Sequence, residues 1–229
     1  LLRNSPKPVL LATSGAPGRL PNDVHSVRSS AEYRASFLQT YLVAGERLRE
    51  LVAGREAGSW AVVLDADETV LDNSLFQKRL VESGAAYSEE IWNDWVREEA
   101  ATALPGAVEF IRLARSLGGR VVIVTNRELV VCEETRRNLV AVGVEADAVL
   151  CRGETSNKNP RFSAVVEGTA APGLPPLEVV MYVGDNVQDF PGQTQESLRT
   201  APDSAFAEFG RTWFILPNPM YGSWERNPV

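Results

Sequence analysis

The chain has 229 residues, 44% hydrophobic and 23% charged, which is ordinary for a globular fold and long enough to bury a sizeable core. Its net charge of −7 opposes binding to nucleic acid polymers and anionic membranes, and no apolar run approaches the roughly 18 residues that span a bilayer. One histidine and two separated cysteines argue against His/Cys zinc chemistry and against a histidine nucleophile.

Residues 1–28 are rich in proline and small polar residues and read as an irregular arm, with His25 as a solvated loop residue. The start has no basic segment followed by a long apolar one, so it is not an intact signal peptide; an export product already processed stays open. Residues 29–54 read as a helix, with Ser29 and Glu32 at capping-box spacing and Tyr33, Phe37, Tyr41 and Leu48 recurring at helical intervals. That aromatic stripe is read as core packing. WAVVL, residues 60–64, is short and apolar throughout, which suits a strand buried on both faces of a parallel sheet. Residues 72–104 form an insertion, read as a cap above the sheet edge; in it Trp92 and Trp95 share a helix face. Further strands are expected at 120–124, 146–150, 177–183 and 211–216, with helices at 105–117, 128–142 and 158–167 between them. The alternation indicates an α/β fold with a doubly wound parallel sheet, as one domain over 29–229. Cys132 and Cys151 are read as two separate thiols, with a disulfide conceivable if the protein is exported.

In such sheets, ligands bind beyond the carboxyl ends of the strands. The first strand is followed by Asp65 and Asp67, the second by Thr125 and Asn126, the third by a loop containing Lys158, and the fourth by Asp185 and Asp189. A period of two sets Asp65 and Asp67 on one side of an extended chain, where two carboxylates need a cation or a shared proton. With Asp185 as a third hard oxygen donor, the set suits Mg²⁺. The chemistry that fits is phosphoryl transfer, with one carboxylate attacking phosphorus. Repulsion between carboxylate and phosphate is about 1 kcal/mol per unit charge at 4 Å in water and about 4 kcal/mol at an effective dielectric near 20. A metal ion and the Lys158 ammonium offset it, Thr125 and Asn126 bind phosphate oxygens, and the second aspartate protonates the leaving group.

At these residues the sequence resembles the haloacid dehalogenase-type phosphatases, whose motifs stand here as VVLDADET, VVIVTN, Lys158 and YVGDNVQDF. The resemblance is closer to the class C acid phosphatases, the bacterial lipoprotein-e type of outer-membrane nucleotidase. It rests on DADETVLDNS, LPGAVEFI, IVTNRE, SNKNPRF, YVGDNVQDF and WFILPNPMYGSWE, roughly residues 31–225. It implies a HAD-like fold with Asp65 as nucleophile and Asp67 as acid–base. Mg²⁺ would be held by the Asp65 carboxylate, the Asp67 backbone carbonyl and Asp185. Asp189 would support the metal shell or orient Lys158. Phosphate would contact Thr125, Asn126 and Lys158. Trp92 and Tyr221 align with aromatics that stack on a nucleobase. The implied substrates are phosphomonoesters, nucleoside monophosphates among them. The implied location is extracytoplasmic, whether secreted, periplasmic or envelope-anchored, with the signal or anchor outside this chain. Two departures stand out: in Thr155-Ser156-Asn157-Lys158 the first position is threonine where a further lysine is common, and Gln188 replaces an acid. Storage-protein relatives can lack the nucleophile, whereas this chain keeps it. A sugar-phosphate phosphatase, a phosphotransferase on the same scaffold and a non-catalytic storage or surface protein stand as alternatives, and self-association into a homo-oligomer is left open.

Overall fold

A computed structural model describes residues 19–228. The chain runs α1 (Asn22–Ser29), α2 (Ala31–Leu51), β1 (Trp60–Leu64), β2 (Leu71–Asp72), α3 (Ser74–Ser83), α4 (Glu89–Arg97), β3 (Thr102–Ala103) and α5 (Ala107–Ser116). It continues through β4 (Arg120–Glu128), α6 (Cys132–Ala141), β5 (Ala148–Arg152), α7 (Asn159–Glu167), β6 (Glu178–Gly184), the short α8 (Gln195–Leu198) and β7 (Trp213–Ile215). The order in the main sheet is β5-β4-β1-β6-β7, and every pairing is parallel. This is the α/β parallel sheet the alternation predicts.

Both faces of the sheet are covered, as an all-parallel sheet requires. Trp60, Val62 and Leu64 of β1 join Val121 and Ile123 of β4 in a core shared with α2, α5 and α6. Ala61 and Val63 join Val122 and Val124 on the opposite face, against Phe162 and Val165 of α7. Strand β1 therefore sits at the centre, buried along its whole length. Its alternation carries Asp65 to the α7 side, where Lys158 immediately precedes the helix.

Several expectations need correction. The arm is not irregular to residue 28: α1 starts at Asn22, because Val24 and Val27 are spaced to bury one face. Arg28 ties it to α3 through the Ser74 hydroxyl at 3.0 Å. His25 is exposed on this helix, not in a loop. Residues 1–18 of the expected arm lie outside the described residues. The cap of α2 is Ser30, whose Oγ accepts from the Tyr33 N–H at 3.1 Å, while Ser29 still belongs to α1 and bonds back to the His25 carbonyl. Cys132 and Cys151 are joined in a disulfide rather than left as two thiols.

Between β1 and α5, β2 and β3 pair antiparallel and close a neck below α3 and α4. Strand β4 is longer than the sequence pattern suggests. Val124 pairs with Leu150 and Glu128 with Arg152, so four steps along β4 answer two along β5. The surplus is a bulge that turns Thr125–Arg127 out of the ladder. Cys151 lies on β5 beside that bulge, and Cys132 opens α6, so the disulfide fastens the start of α6 to the strand neighbouring the bulge.

Candidate active site

The residues singled out at the strand ends meet in a cleft of about 560 Å³ at the carboxyl edge of the sheet. Asp65, Asp67, Lys158, Asp185 and Asp189 line its floor; Asn126, Trp92 and Tyr221 line its walls. Thr125 does not face it: its side chain is fully buried, and its hydroxyl accepts from the Arg127 N–H at 3.1 Å.

Asp65 still donates its backbone N–H to Val183 of β6 at 3.0 Å, so the nucleophile candidate is fixed by the sheet itself. Its carboxylate pairs with Lys158, whose ammonium also holds Asp189 at 2.7 Å. Burial raises Asp65 to about 7; Lys158 opposes the shift, while Asp189 and Asp67 add to it. Burial alone would lower Lys158, but the two carboxylates overcome it and hold the ammonium protonated, above its usual range. Asp185 is pushed well above the ordinary carboxylate range by burial and then by Asp189 and Asp65, against a stabilising amide from Asn218 at 2.8 Å.

Asp65, Asp185 and Asp189 each place a carboxylate oxygen within 4.8 Å of the others. Lys158 pairs with two of these acids, Asp65 and Asp189, and among the described residues no ion pair reaches Asp185, so the cluster holds more carboxylates than its one ammonium can neutralise. A small, all-oxygen, over-charged donor set fits a hard divalent cation. Gly184 makes this packing feasible. A Cβ there would fall 2.3 Å from the Asp189 Cβ and 2.4 Å from an Asp189 carboxylate oxygen.

Asp67 is held apart from that cluster. Its Oδ1 accepts from Arg127 Nε at 2.9 Å, from the Arg127 terminal nitrogen at 2.8 Å and from Asn73 Nδ2 at 2.9 Å. The guanidinium is 1% exposed and lies 5.6 Å below the Trp92 ring centroid, a cation–π contact. Asn73 also accepts from Trp95 Nε1 at 2.9 Å, which fixes the cap to the loop after β1. That loop is tight: the N–H groups of Val70 and Leu71 both donate to the Ala66 carbonyl. Its turn forces Glu68 to φ 51°, a left-handed conformation costing a side-chain-bearing residue about 1–2 kcal/mol. The fully buried Glu68 carboxyl accepts the Asn73 N–H at 2.8 Å, and burial pushes its pKa well up. From below, Tyr41 of α2 donates its hydroxyl to the Thr69 carbonyl at 2.7 Å.

Asn126 is exposed, with its side-chain oxygen on Arg161 at 2.6 Å; the same guanidinium reaches the Thr125 carbonyl. Trp92 packs edge-on against Phe76 with centroids 5.0 Å apart, and Trp95 is buried beneath it.

Comparison with known proteins follows the same line. The family model of the HAD superfamily, subfamily IIIB (acid phosphatase), matches residues 18–224. The chain belongs to this family. Within it, the chain is similar to the class C acid phosphatase of Bacillus anthracis, solved with tungstate bound: 31% identity and a TM-score of 0.79, over 89% of this chain and 85% of that one. Another structure of the Bacillus anthracis enzyme gives 31% identity and a TM-score of 0.78, at the same coverage. The stem 31 kDa glycoprotein of Glycine max is 26% identical over 163 residues. The chain spans 69% of its own length in that match but only 58% of the soybean protein.

Sequence reading alone does not find the roles of Arg127, Asn73, Glu68, Asn218 and Arg161. The signal for Arg127 and Asn73 was present as TNRE and LDNS, next to the singled-out motifs. What was missing was the bulge that turns Arg127 back onto Asp67.

Proposed function

We propose that this IIIB acid phosphatase family member hydrolyses phosphomonoesters through a phosphorylated Asp65, with nucleoside monophosphates and aryl phosphates, whose leaving groups carry an aromatic ring, as substrates. The observation that carries the reading is the buried Asp65 carboxylate, paired to Lys158 with Asp185 and Asp189 oxygens close by. Asp65 attacks phosphorus, the ester oxygen leaves with a proton from Asp67, and Asp67 then takes a proton from the water that cleaves the acyl phosphate. Lys158 neutralises phosphate oxygens, and the bulged Thr125–Asn126 backbone offers amides to them. Mg²⁺ is the cation that suits the site; Asp65, Asp185, Asp189 and the Asp67 carbonyl would hold it, and when bound it supplies charge neutralisation at the transferring group. Trp92 and Tyr221 stand on the cleft walls as an aromatic clamp for the leaving group, worth about 1–3 kcal/mol per stacked base. The tungstate bound to the Bacillus anthracis relative, a tetrahedral oxyanion, supports a phosphate-sized site. The disulfide supports an oxidising, extracytoplasmic location.

The test is a substrate panel with Mg²⁺ and with chelator, on the wild-type chain and on Asp65→Asn. Nucleoside monophosphates and p-nitrophenyl phosphate should turn over best, chelator should stop turnover, and Asp65→Asn should be inactive. Retained activity in Asp65→Asn sinks the proposal; an inert wild-type chain points to a binding or storage role instead. A preference for sugar phosphates would reject the aromatic clamp alone.

A further inference from the structure

One contact set between the cap and the sheet edge is not used by the chemistry above. Glu128 ends β4, where the ladder resumes after the bulge opposite Arg152. Its two carboxylate oxygens reach separate partners. Oε2 accepts from Asn93 Nδ2 of α4 at 2.7 Å, and Oε1 pairs with Arg152 at 2.9 Å. Arg152 in turn pairs with Glu89, in the first turn of α4. Glu89 and Asn93 are four residues apart, one helical turn, and Trp92 lies on the same face between them. Asn93 is therefore moored to β4 by Glu128 and Glu89 to β5 by Arg152, and the Glu128–Arg152 pair ties the two anchors together.

We infer that Glu128 is a positioning residue: it seats α4 so that the Trp92 ring stands in the cleft at stacking distance from an aromatic leaving group. The inference rests on the clamp described under the proposed function. Asn93 is 7% exposed, while the Glu128 side chain is 31% exposed and lines the cleft, so their bond is partly shielded rather than a fully solvated surface pair. Glu89 is largely exposed, and its ion pair contributes little by itself. The weight falls on Glu128, the member that joins Asn93 to Arg152. Its role is also separable from phosphate binding, which belongs to Lys158 and the bulge. Loss of Glu128 should affect the hold on the leaving group and leave the reacting atoms alone.

The experiment is a double-mutant cycle on the full chain, with a nucleoside 5′-monophosphate and ethyl phosphate as paired substrates. Glu128→Ala should raise KM for the nucleotide about five- to tenfold, the scale of one partly shielded hydrogen bond, with kcat and the ethyl phosphate KM within about twofold. Glu128→Gln, which keeps a carbonyl oxygen for Asn93, should recover most of the nucleotide KM. In a Trp92→Ala background, Glu128→Ala should add nothing. If the Glu128 effect persists there in full, or if ethyl phosphate suffers equally, the inference is overturned while the clamp stands. If Trp92→Ala alone leaves the nucleotide KM unchanged, the clamp falls and takes the inference with it. Matching melting temperatures of Glu128→Ala and wild type would show that the readout is not unfolding.

Discussion

The most informative single change is Arg127→Ala. In the folded protein this guanidinium directs Nε and Nη2 to Asp67 Oδ1, at 2.9 and 2.8 Å, and the same Nη2 reaches Asn73 Oδ1 at 3.2 Å. Removal of one partner of a buried ion pair typically costs about 3–5 kcal/mol, because the remaining charge is stranded. Asp67 keeps Asn73 Nδ2 and has 17% of its side chain exposed to the cleft, so water compensates in part and the low end applies, about 3 kcal/mol. For a chain of this length, each kcal/mol shifts Tm by about 2–4 °C, which predicts a fall of about 6–12 °C. Turnover should fall too, since an aspartate no longer held in place loses part of the 10²–10⁴-fold that general acid–base catalysis contributes, at least about tenfold. Arg127→Lys keeps the charge but not the fork, so it should be intermediate in both readouts. Thermal unfolding followed by circular dichroism, with kcat on p-nitrophenyl phosphate, decides the matter. A variant that melts within about 2 °C of wild type and keeps half its kcat refutes the view that Arg127 holds Asp67.

Three further outcomes follow from particular contacts. Breaking the disulfide with Cys132→Ser and Cys151→Ser should destabilise the chain by about 3 kcal/mol, as expected for closure of a 19-residue separation, measured as a shift in the urea midpoint at constant slope. Gly184→Ala should displace Asp189 and loosen its grip on Lys158, lowering Mg²⁺ affinity measured by calorimetry together with kcat, because no side chain fits 2.3 Å from Asp189. Tyr41→Phe removes only the hydroxyl that reaches the Thr69 carbonyl, so it should cost about 1–2 kcal/mol in the urea midpoint with KM within about twofold.

The sheet was legible because its strands are unbroken apolar runs; WAVVL at 60–64 could fold as little else once flanked by helical periods. Asp65, Asp67, Lys158, Asp185 and Asp189 could be seen to converge because a parallel sheet delivers every strand's carboxyl end to one edge. Three things escaped. Helix α1 hides in a segment whose composition looks irregular, because only Val24 and Val27 mark its buried side. The bulge in β4 has no local sequence mark: the apolar run stops at Val124 and a helical pattern is read from 128, so residues 125–127 pass for a connection, and with that went the assignment of Arg127. The pairing of Cys132 with Cys151 depends on how far apart β5 and the start of α6 lie, a tertiary quantity that spacing along the chain does not contain. Thr125 shows the reverse failure: its motif position was visible, but not that its side chain turns inward to support the Arg127 amide.

Lys158 answers to two acids carried on different strand ends, Asp65 and Asp189. If Asp65 is phosphorylated as proposed, Asp189 stays in reach, so the buried ammonium keeps a counterion that the fold itself supplies. Redundancy of this kind spares the interior a transient bare charge.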